Sequence, residues 1–413
     1  MTDHIDGLIP LTAREIVRSL HSGVVPAHGS GLFSYGRDRW LRSIEIDLED
    51  LASSESRVGR VRIINGRNGD GKTHLMHLIS QLALNKGFAV AYVVISELVP
   101  LSKWDRVYRE VARSIRVPSG AQGVKAILDP KAPAAEVANR FRLNAASVRN
   151  VAGLDADFAT AVYRYTTEQT VNVDSEQDLH HLAAWIEGGE TPPMRHFGIS
   201  SKVNEANGAA ALRSLVRVLR HFGIPGVVLM VDEVESTLSL STTRRRDCYQ
   251  TLRLLVDGST TDAHSLVVLS TTPPMYSDEV HGLRSYPALW SRIRSDDGAG
   301  GVNYNGTFVD LTKTPLSADD YESIGRSIAR IYATAWGTAD LWDVISSKVR
   351  EAAELAASGR LTMTFSATRV FVKLISDLLR TVDETGQIPT SMDNLIRTFG
   401  HADADLQELA VTE

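Results

Sequence analysis

The chain has 413 residues, of which 43% are hydrophobic and 23% charged, a composition typical of a soluble globular protein of about two or three domains. Its formal net charge of −6 argues against a protein that coats nucleic acid without specificity, although a local basic patch stays compatible with it. The single cysteine, Cys248, excludes an internal disulfide and a cysteine-based metal site. Because no apolar run approaches the roughly 18 residues of a membrane helix and no secretory signal pattern opens the chain, the sequence predicts a cytoplasmic location.

Amphipathic segments alternate with short apolar runs over the first hundred residues. The patterns predict helices at 11–23, 38–51 and 72–85, and strands at 58–66 and 88–96. The two strands are continuously apolar instead of alternating, which is typical of a parallel sheet covered on both faces.

A long helical stretch separates these strands from the rest of the predicted sheet. The connection between two parallel strands usually needs only a few tens of residues, so we expect a helical insertion at about 118–205. Further strands are predicted at 226–233, 265–272 and 307–313, and the pattern is helical from 317 onward. This order predicts an α/β fold with a doubly wound, five-stranded parallel sheet, divided into segments 1–57, 58–315 and 316–413.

The most specific motif is GRNGDGKT at residues 66–73, which matches G-x-x-x-x-G-K-[ST] between a predicted strand and a predicted helix. Glycines allow a tight turn whose N–H groups face inward, and the helix N-terminus attracts anions. Lys72 is expected to contact the β- and γ-phosphates of ATP, and the Thr73 hydroxyl to ligate Mg²⁺. The alternative is a glycine-rich turn with a surface lysine. The candidate nucleotide-binding residues are Gly66, Arg67, Asn68, Gly69, Asp70, Gly71, Lys72, Thr73 and His74, although packing is a sufficient explanation for His74.

Two acidic residues follow the third predicted strand, VVLMV. Ligands of open parallel sheets bind at the carboxyl ends of the strands, where Asp232 and Glu233 emerge. Asp232 is expected to hold Mg²⁺ and Glu233 to orient and deprotonate the attacking water, unless both only cap the next helix. At the tip of the following strand, Thr271 or Thr272 is a candidate contact for the γ-phosphate or the water. The sequence does not separate these two threonines, and both could merely end the strand.

The order GRNGDGKT, VVLMVDE, LSTT resembles that of AAA+ ATPases. Tyr35-Gly36-Arg37-Asp38 resembles the adenine-side entry motif of the origin-recognition and helicase-loader clade, which implies nucleotide contacts by Gly36 and Arg37. The segments ISELVPLSKWDRVYREVARSI, VDEVES and YPALWSRI are similar to the BrxD-like P-loop ATP-binding proteins of BREX phage-defence systems. This resemblance covers most of the chain. It implies an AAA+ core with a C-terminal helical lid that hydrolyses ATP to drive or gate a DNA-associated assembly.

The same resemblance implies roles for two arginines. Arg292 would reach the nucleotide of a neighbouring subunit, with Arg284 and Arg294 as nearby alternatives, and Arg369 in the lid would sense phosphate in its own subunit. Each could instead be a solvated arginine near a helix end. An arginine that acts across subunits implies a ring or a head-to-tail homo-oligomer.

Three consecutive arginines, Arg244, Arg245 and Arg246, follow the acidic strand. They are candidates for contacts with the DNA backbone or with another subunit, or they form a solvated helix start. Two other functions stay open. One is a nucleotide-switched adaptor or loader for a partner helicase or methyltransferase with little hydrolysis of its own. The other is a signalling ATPase without DNA contact.

Overall fold

The computed structural model describes residues 7–26, 28–53, 55–128, 145–168, 176–294, 302–361 and 366–388. None of the helices in these ranges combines the length and the apolar character that crossing a bilayer requires. The α-helices and β-strands are, in chain order, α1 (Pro10–His21), α2 (Asp38–Ala52), β1 (Arg60–Asn65), α3 (Lys72–Asn85), β2 (Ala89–Val94), α4 (Trp104–Ser114), α5 (Val124–Leu128), α6 (Ala156–Glu168), α7 (Glu176–Ile186), α8 (Gly208–His221), β3 (Val227–Asp232), α9 (Thr242–Val256), β4 (Ser265–Thr271), α10 (Pro273–Ser277), α11 (Pro287–Ile293), β5 (Phe308–Asp310), α12 (Ala318–Trp336), α13 (Trp342–Ala357) and α14 (Ala367–Thr385).

The five strands form one parallel sheet in the order β2-β3-β4-β1-β5, which confirms the predicted α/β class and the five-stranded parallel sheet. Every residue of β3 and β4 is buried, as the apolar runs at their centres predict. The register pairs Asn65 of β1 with Thr271 of β4, and Val94 of β2 with Asp232 of β3. The carboxyl ends of these four strands therefore lie along one edge of the sheet.

Two predicted segments differ from the structure or extend beyond what it describes. The fifth strand is only three residues long and is followed by a 3₁₀ turn, Leu311–Lys313. This turn begins where the Asp310 carboxylate accepts a hydrogen bond from the Thr312 N–H at 3.1 Å. The predicted insertion at 118–205 contains α5, α6 and α7, but its residues 129–144 and 169–175 lie outside the described ranges.

The chain forms two compact units. The first, which we call the P-loop unit, comprises Met1–Leu41, Gly66–Leu78 and Asp310–Glu413. The second, the sheet unit, comprises Arg42–Asn65 and Ile79–Val309. The division at residues 57 and 315 stays a prediction.

The P-loop unit has a helical core. Helices α1, α13 and α14 pack around α12, burying apolar side chains such as Ile16, Ile331 and Phe371. Helix α12 begins with a capping box, in which the Ser317 hydroxyl accepts from the Asp320 N–H and the Asp320 carboxylate accepts from the Ser317 N–H. This cap fixes the start of the helix that follows the last strand.

The sheet unit contains a buried ion pair beside its apolar core. Arg62 of β1 donates to the Asp47 carboxylate of α2 at 2.6 Å, and their side chains are only 6% and 7% exposed. The same guanidinium donates to the Ser43 hydroxyl at 3.0 Å and to the Gly306 carbonyl. A charge this deeply buried requires such partners, so the pair holds α2 on the strand that leads into the P-loop motif.

Candidate functional site

The P-loop curls around its own lysine within the P-loop unit. Gly69 and Gly71 have φ angles of 90° and 92°, which lie in the left-handed region that favours glycine. The buried Lys72 donates from Nζ to the Gly66 carbonyl at 3.0 Å and to the Arg67 carbonyl at 3.3 Å. Apart from the two adjacent residues, a Cβ placed on Gly71 would meet no atom of the described chain within 4 Å, so the loop has open space at this position. Space for a ligand next to a cation and a helix N-terminus suits a phosphate group.

Asp70 stabilises the turn of the P-loop. Its carboxylate accepts a hydrogen bond from the Arg67 N–H at 2.7 Å, and the Asp70 N–H returns one to the Arg67 carbonyl at 3.1 Å. Burial raises the pKa of Asp70, while the hydrogen bond from Arg67 opposes this shift. The contacts of Asp70 are thus those of a residue that shapes the loop.

Packing accounts for the surroundings of His74, in the first turn of α3. The pKa of His74 is lowered to about 4, chiefly by burial and also by the charges of His77 and Arg37. The ring of His74 lies 5.2 Å from that of Phe33. His74 is therefore neutral at physiological pH. Thr73, one residue earlier, is half-buried at the start of the helix.

The predicted entry motif lies next to the segment that leads into α12. Arg37 is buried and donates to the Thr314 carbonyl at 2.7 Å. Gly36 has a φ of 69°, and a Cβ there would come within 2.8 Å of Leu316 and 2.9 Å of Asp320. Gly36 thus has a packing reason to be glycine, and the nucleotide contact of both residues stays a prediction.

The first residues of α14 contact the P-loop inside the same unit. The Ser366 N–H donates to the Asn68 carbonyl at 3.4 Å, and a Cβ on Gly69 would lie 2.6 Å from the Ser366 hydroxyl and 3.0 Å from Cβ of Arg369. The structure therefore brings Arg369, the predicted lid arginine, next to the motif. The Ser366 hydroxyl is buried and has no hydrogen-bond partner among the described residues. Sequence reasoning missed Ser366, although a serine before a predicted helix is an N-cap signal.

In the sheet unit, the acid at the end of β3 is held by donors from both neighbouring strands. Asp232 is 5% exposed. One of its carboxylate oxygens accepts from the Ser270 hydroxyl of β4 and from the Glu233 N–H at 3.0 Å, and the other accepts from the Tyr92 hydroxyl of β2. Burial raises the pKa of Tyr92, as does the hydrogen bond to Asp232. Sequence reasoning missed Tyr92 and Ser270, and the signal was a polar side chain inside an otherwise apolar strand.

Glu233 adopts an unusual backbone conformation directly after this acid. Its φ and ψ of 57° and 35° are left-handed, and no other residue with a side chain has a positive φ in the ranges that the structure describes. Such a conformation costs about 1–3 kcal/mol and is kept where the surroundings enforce it. Here the Glu233 N–H lies 3.0 Å from the Asp232 carboxylate and 3.2 Å from the Ser270 hydroxyl, which fixes the turn.

The two candidate threonines differ in their environment. Thr271 ends β4, pairs in register with Asn65, and its buried hydroxyl has no hydrogen-bond partner in the described part of the chain. Thr272 follows as the half-buried residue before α10. Thr271 thus presents a buried, unpartnered hydroxyl at the carboxyl end of β4, among the residues that the structure describes. A nucleotide contact by either threonine stays a prediction.

The arginine proposed to act across subunits has partners within its own chain. Arg292 of α11 forms an ion pair with Asp257 and donates to the Ala288 carbonyl at 2.5 Å. The nearby alternative Arg284 pairs with Glu279 at 3.0 Å. Arg294 follows α11 as an exposed residue, so the structure does not single out one of the three.

The three consecutive arginines at the start of α9 do not share one surface. Arg245 is buried and donates to the carbonyls of Leu238 and Leu240 at 3.3 and 3.0 Å. A DNA contact by Arg245 does not fit this geometry, because its guanidinium is directed into the protein. Arg244 and Arg246 are exposed, so these two arginines remain as the predicted contacts with the DNA backbone.

A magnesium ion would need oxygen atoms from the nucleotide as well as from the protein. Within the described residues, no group of three or more His, Cys, Asp and Glu side chains could hold a metal ion. Mg²⁺ usually takes one or two carboxylates together with substrate phosphates and water. The carboxylate of Asp232, oriented by donors to both of its oxygens, is a ligand of this type, and the role of Thr73 stays a prediction.

One comparison with known proteins gave a match. A family model described as BREX system ATP-binding protein BrxC/D matches residues 9–395 of the chain. A search of the curated proteins found no match, and neither did a search of the solved structures.

Proposed function

We propose, because the chain belongs to the BREX system ATP-binding protein BrxC/D family, that it is an AAA+ ATPase that hydrolyses ATP with Mg²⁺ in defence against phage. The observation that carries this proposal is the geometry of residues 66–72. Two left-handed glycines open the loop, and a buried lysine lies inside it at the start of a helix. This arrangement suits a triphosphate, which the family description leads us to identify as that of ATP.

The P-loop and the two acids after β3 each have a task in the proposed reaction. The P-loop N–H groups and Lys72 would bind the β- and γ-phosphates, and Thr73 and Asp232 would hold Mg²⁺. The ion, when bound, neutralises charge on the triphosphate. Glu233 orients a water molecule and accepts its proton.

The contact between the lid helix and the P-loop supports coupling of nucleotide state to the lid. Ser366 contacts the loop at Asn68, and Arg369 lies beside Gly69. A phosphate that enters the loop and shifts these residues would therefore also shift the first turn of α14. We propose that this turn reports whether the loop is filled.

Paired variants test the ATPase. Lys72→Ala should abolish binding of a fluorescent ATP analogue, because it removes the buried cation from the loop. Glu233→Gln should keep binding and reduce phosphate release by about 10²–10⁴-fold, the usual contribution of a general base. Lys86→Ala, an exposed lysine that pairs with Glu45 at 2.8 Å, is the control for the first variant. Glu97→Gln, an exposed acid just after β2, is the control for the second.

Two results would contradict the proposal. Hydrolysis by Glu233→Gln at the wild-type rate would remove Glu233 as the base. Tight binding with no steady-state turnover in the wild type, even with DNA present, would favour the nucleotide-switched adaptor for a helicase or methyltransferase instead.

We extend the proposal to a homo-oligomer that acts with DNA in the cytoplasm. The support for DNA is the exposed pair Arg244 and Arg246, together with the BREX family membership. The support for an oligomer is the partly exposed Arg292, which would exchange its ion pair with Asp257 for the nucleotide of a neighbouring subunit. A signalling ATPase predicts no stimulation of hydrolysis by DNA.

A further inference from the structure

We infer that Tyr92 and Ser270 are positioning residues that orient Asp232 toward Mg²⁺. This inference rests on the proposed function, since it concerns the ion that accompanies ATP. Neither residue belongs to the P-loop motif or to the acid pair, and both reach Asp232 from strands that flank β3.

The strand register explains why these two side chains meet the acid. Val94 of β2 is the partner of Asp232, so Tyr92 lies two residues earlier on the same face of β2, and its long side chain reaches the carboxylate. Val231 pairs with Leu269, which places Ser270 directly beside Asp232. The two donors contact different carboxylate oxygens, so together they fix the rotation of the carboxylate about its Cβ–Cγ bond.

The surroundings make this arrangement more than a chance contact. Asp232 is almost fully buried and Ser270 is completely buried, so water does not substitute freely for the Ser270 hydroxyl. Ser270 also lies 3.2 Å from the N–H of Glu233, which links the metal-binding acid to the turn that carries the proposed base. Removing one hydroxyl would take away one of the donors that orient the carboxylate, and such losses around a metal ligand typically weaken metal affinity by about 10–100-fold.

The experiment compares magnesium dependence among single variants of the full chain. The affinity for a fluorescent ATP analogue is measured across a Mg²⁺ titration and in EDTA. Tyr92→Phe should raise the Mg²⁺ concentration for half-maximal binding by about tenfold, while its affinity in EDTA stays at the wild-type value. Ser270→Ala tests the opposite oxygen and should shift the titration in the same direction.

Tyr108→Phe is the matched control. Tyr108 is a buried tyrosine of the sheet unit whose hydroxyl donates to the Ile186 carbonyl, so its loss also removes one buried hydrogen bond. It should lower the thermal unfolding temperature without moving the Mg²⁺ titration. Ser270→Ala keeps the inference testable if Tyr92→Phe does not fold.

The outcomes separate this inference from the proposed function. A wild-type Mg²⁺ titration in both Tyr92→Phe and Ser270→Ala overturns the positioning role while the ATPase proposal stands. Equal shifts in Tyr92→Phe and Tyr108→Phe overturn it as well, because they show a general loss of packing. A wild-type protein that binds no nucleotide overturns the proposed function, and this inference with it.

Discussion

The buried ion pair between Arg62 and Asp47 allows a sharp test of what holds the sheet unit together. Asp47→Ala would leave the guanidinium of Arg62 in a site where its side chain is 6% exposed, with only neutral partners. Loss of one member of a buried pair typically costs about 3–5 kcal/mol. The urea dependence increases with protein size, so a value near the upper end of the usual range, about 3 kcal/mol per molar, applies here. The unfolding midpoint should then fall by about 1–1.7 M.

Asp50→Ala is the control for this prediction. Asp50 lies one turn further along α2 and pairs with Arg60 at 3.0 Å, but these side chains are 54% and 50% exposed. An exposed pair contributes about 0–1 kcal/mol, so the midpoint should move by only a few tenths molar. Urea unfolding followed by tryptophan fluorescence and circular dichroism compares the two variants. Equal midpoints for Asp47→Ala and Asp50→Ala would refute the reasoning, because burial would then have no effect on the cost.

Two further predictions concern the lid contact and the basic surface. Gly69→Ala should weaken binding of a fluorescent ATP analogue and lower the unfolding temperature more than Gly120→Ala, because both glycines have a φ near 90° but only the new Cβ at Gly69 would meet neighbours, including Ser366. Equal effects would show that φ alone decides the cost. Combined Arg244→Ala and Arg246→Ala should weaken DNA binding and lower its logarithmic salt slope by about two, near 0.9 for each lost phosphate contact. Unchanged binding, measured by fluorescence anisotropy at several salt concentrations, would exclude α9 as the DNA contact.

Local patterns predicted the elements that carry the P-loop. Helix α3 has the bounds that the sequence predicts, 72–85. The left-handed Gly71 keeps the helix from starting earlier, and the left-handed Gly87 ends it. The strands were recognisable because their apolar runs are too short for helices of a buried core. The predicted fifth strand is longer than the observed one. In the sequence, an aspartate that caps a 3₁₀ turn, as Asp310 does, looks the same as a polar residue at the end of a strand.

Contacts between distant segments were beyond such patterns. The bond from Tyr92 to Asp232 depends on which strand lies beside β3, and a chain separation of 140 residues gives no sign of it. The burial of Arg245, in contrast, could have been predicted from the sequence. Arg245, Cys248, Tyr249 and Leu252 follow the spacing of one helix face, and all four are buried.

At Glu233, the backbone conformation lowers the stability of the folded protein, while the side chain is the proposed base of the reaction. Glycine or asparagine would adopt these angles at lower cost, so selection for thermal robustness alone would discard the glutamate. Stabilising substitutions in this protein are accordingly safest away from the end of β3. A sequence optimised only for thermodynamic stability would replace Glu233, and the more stable protein would lack its proposed base.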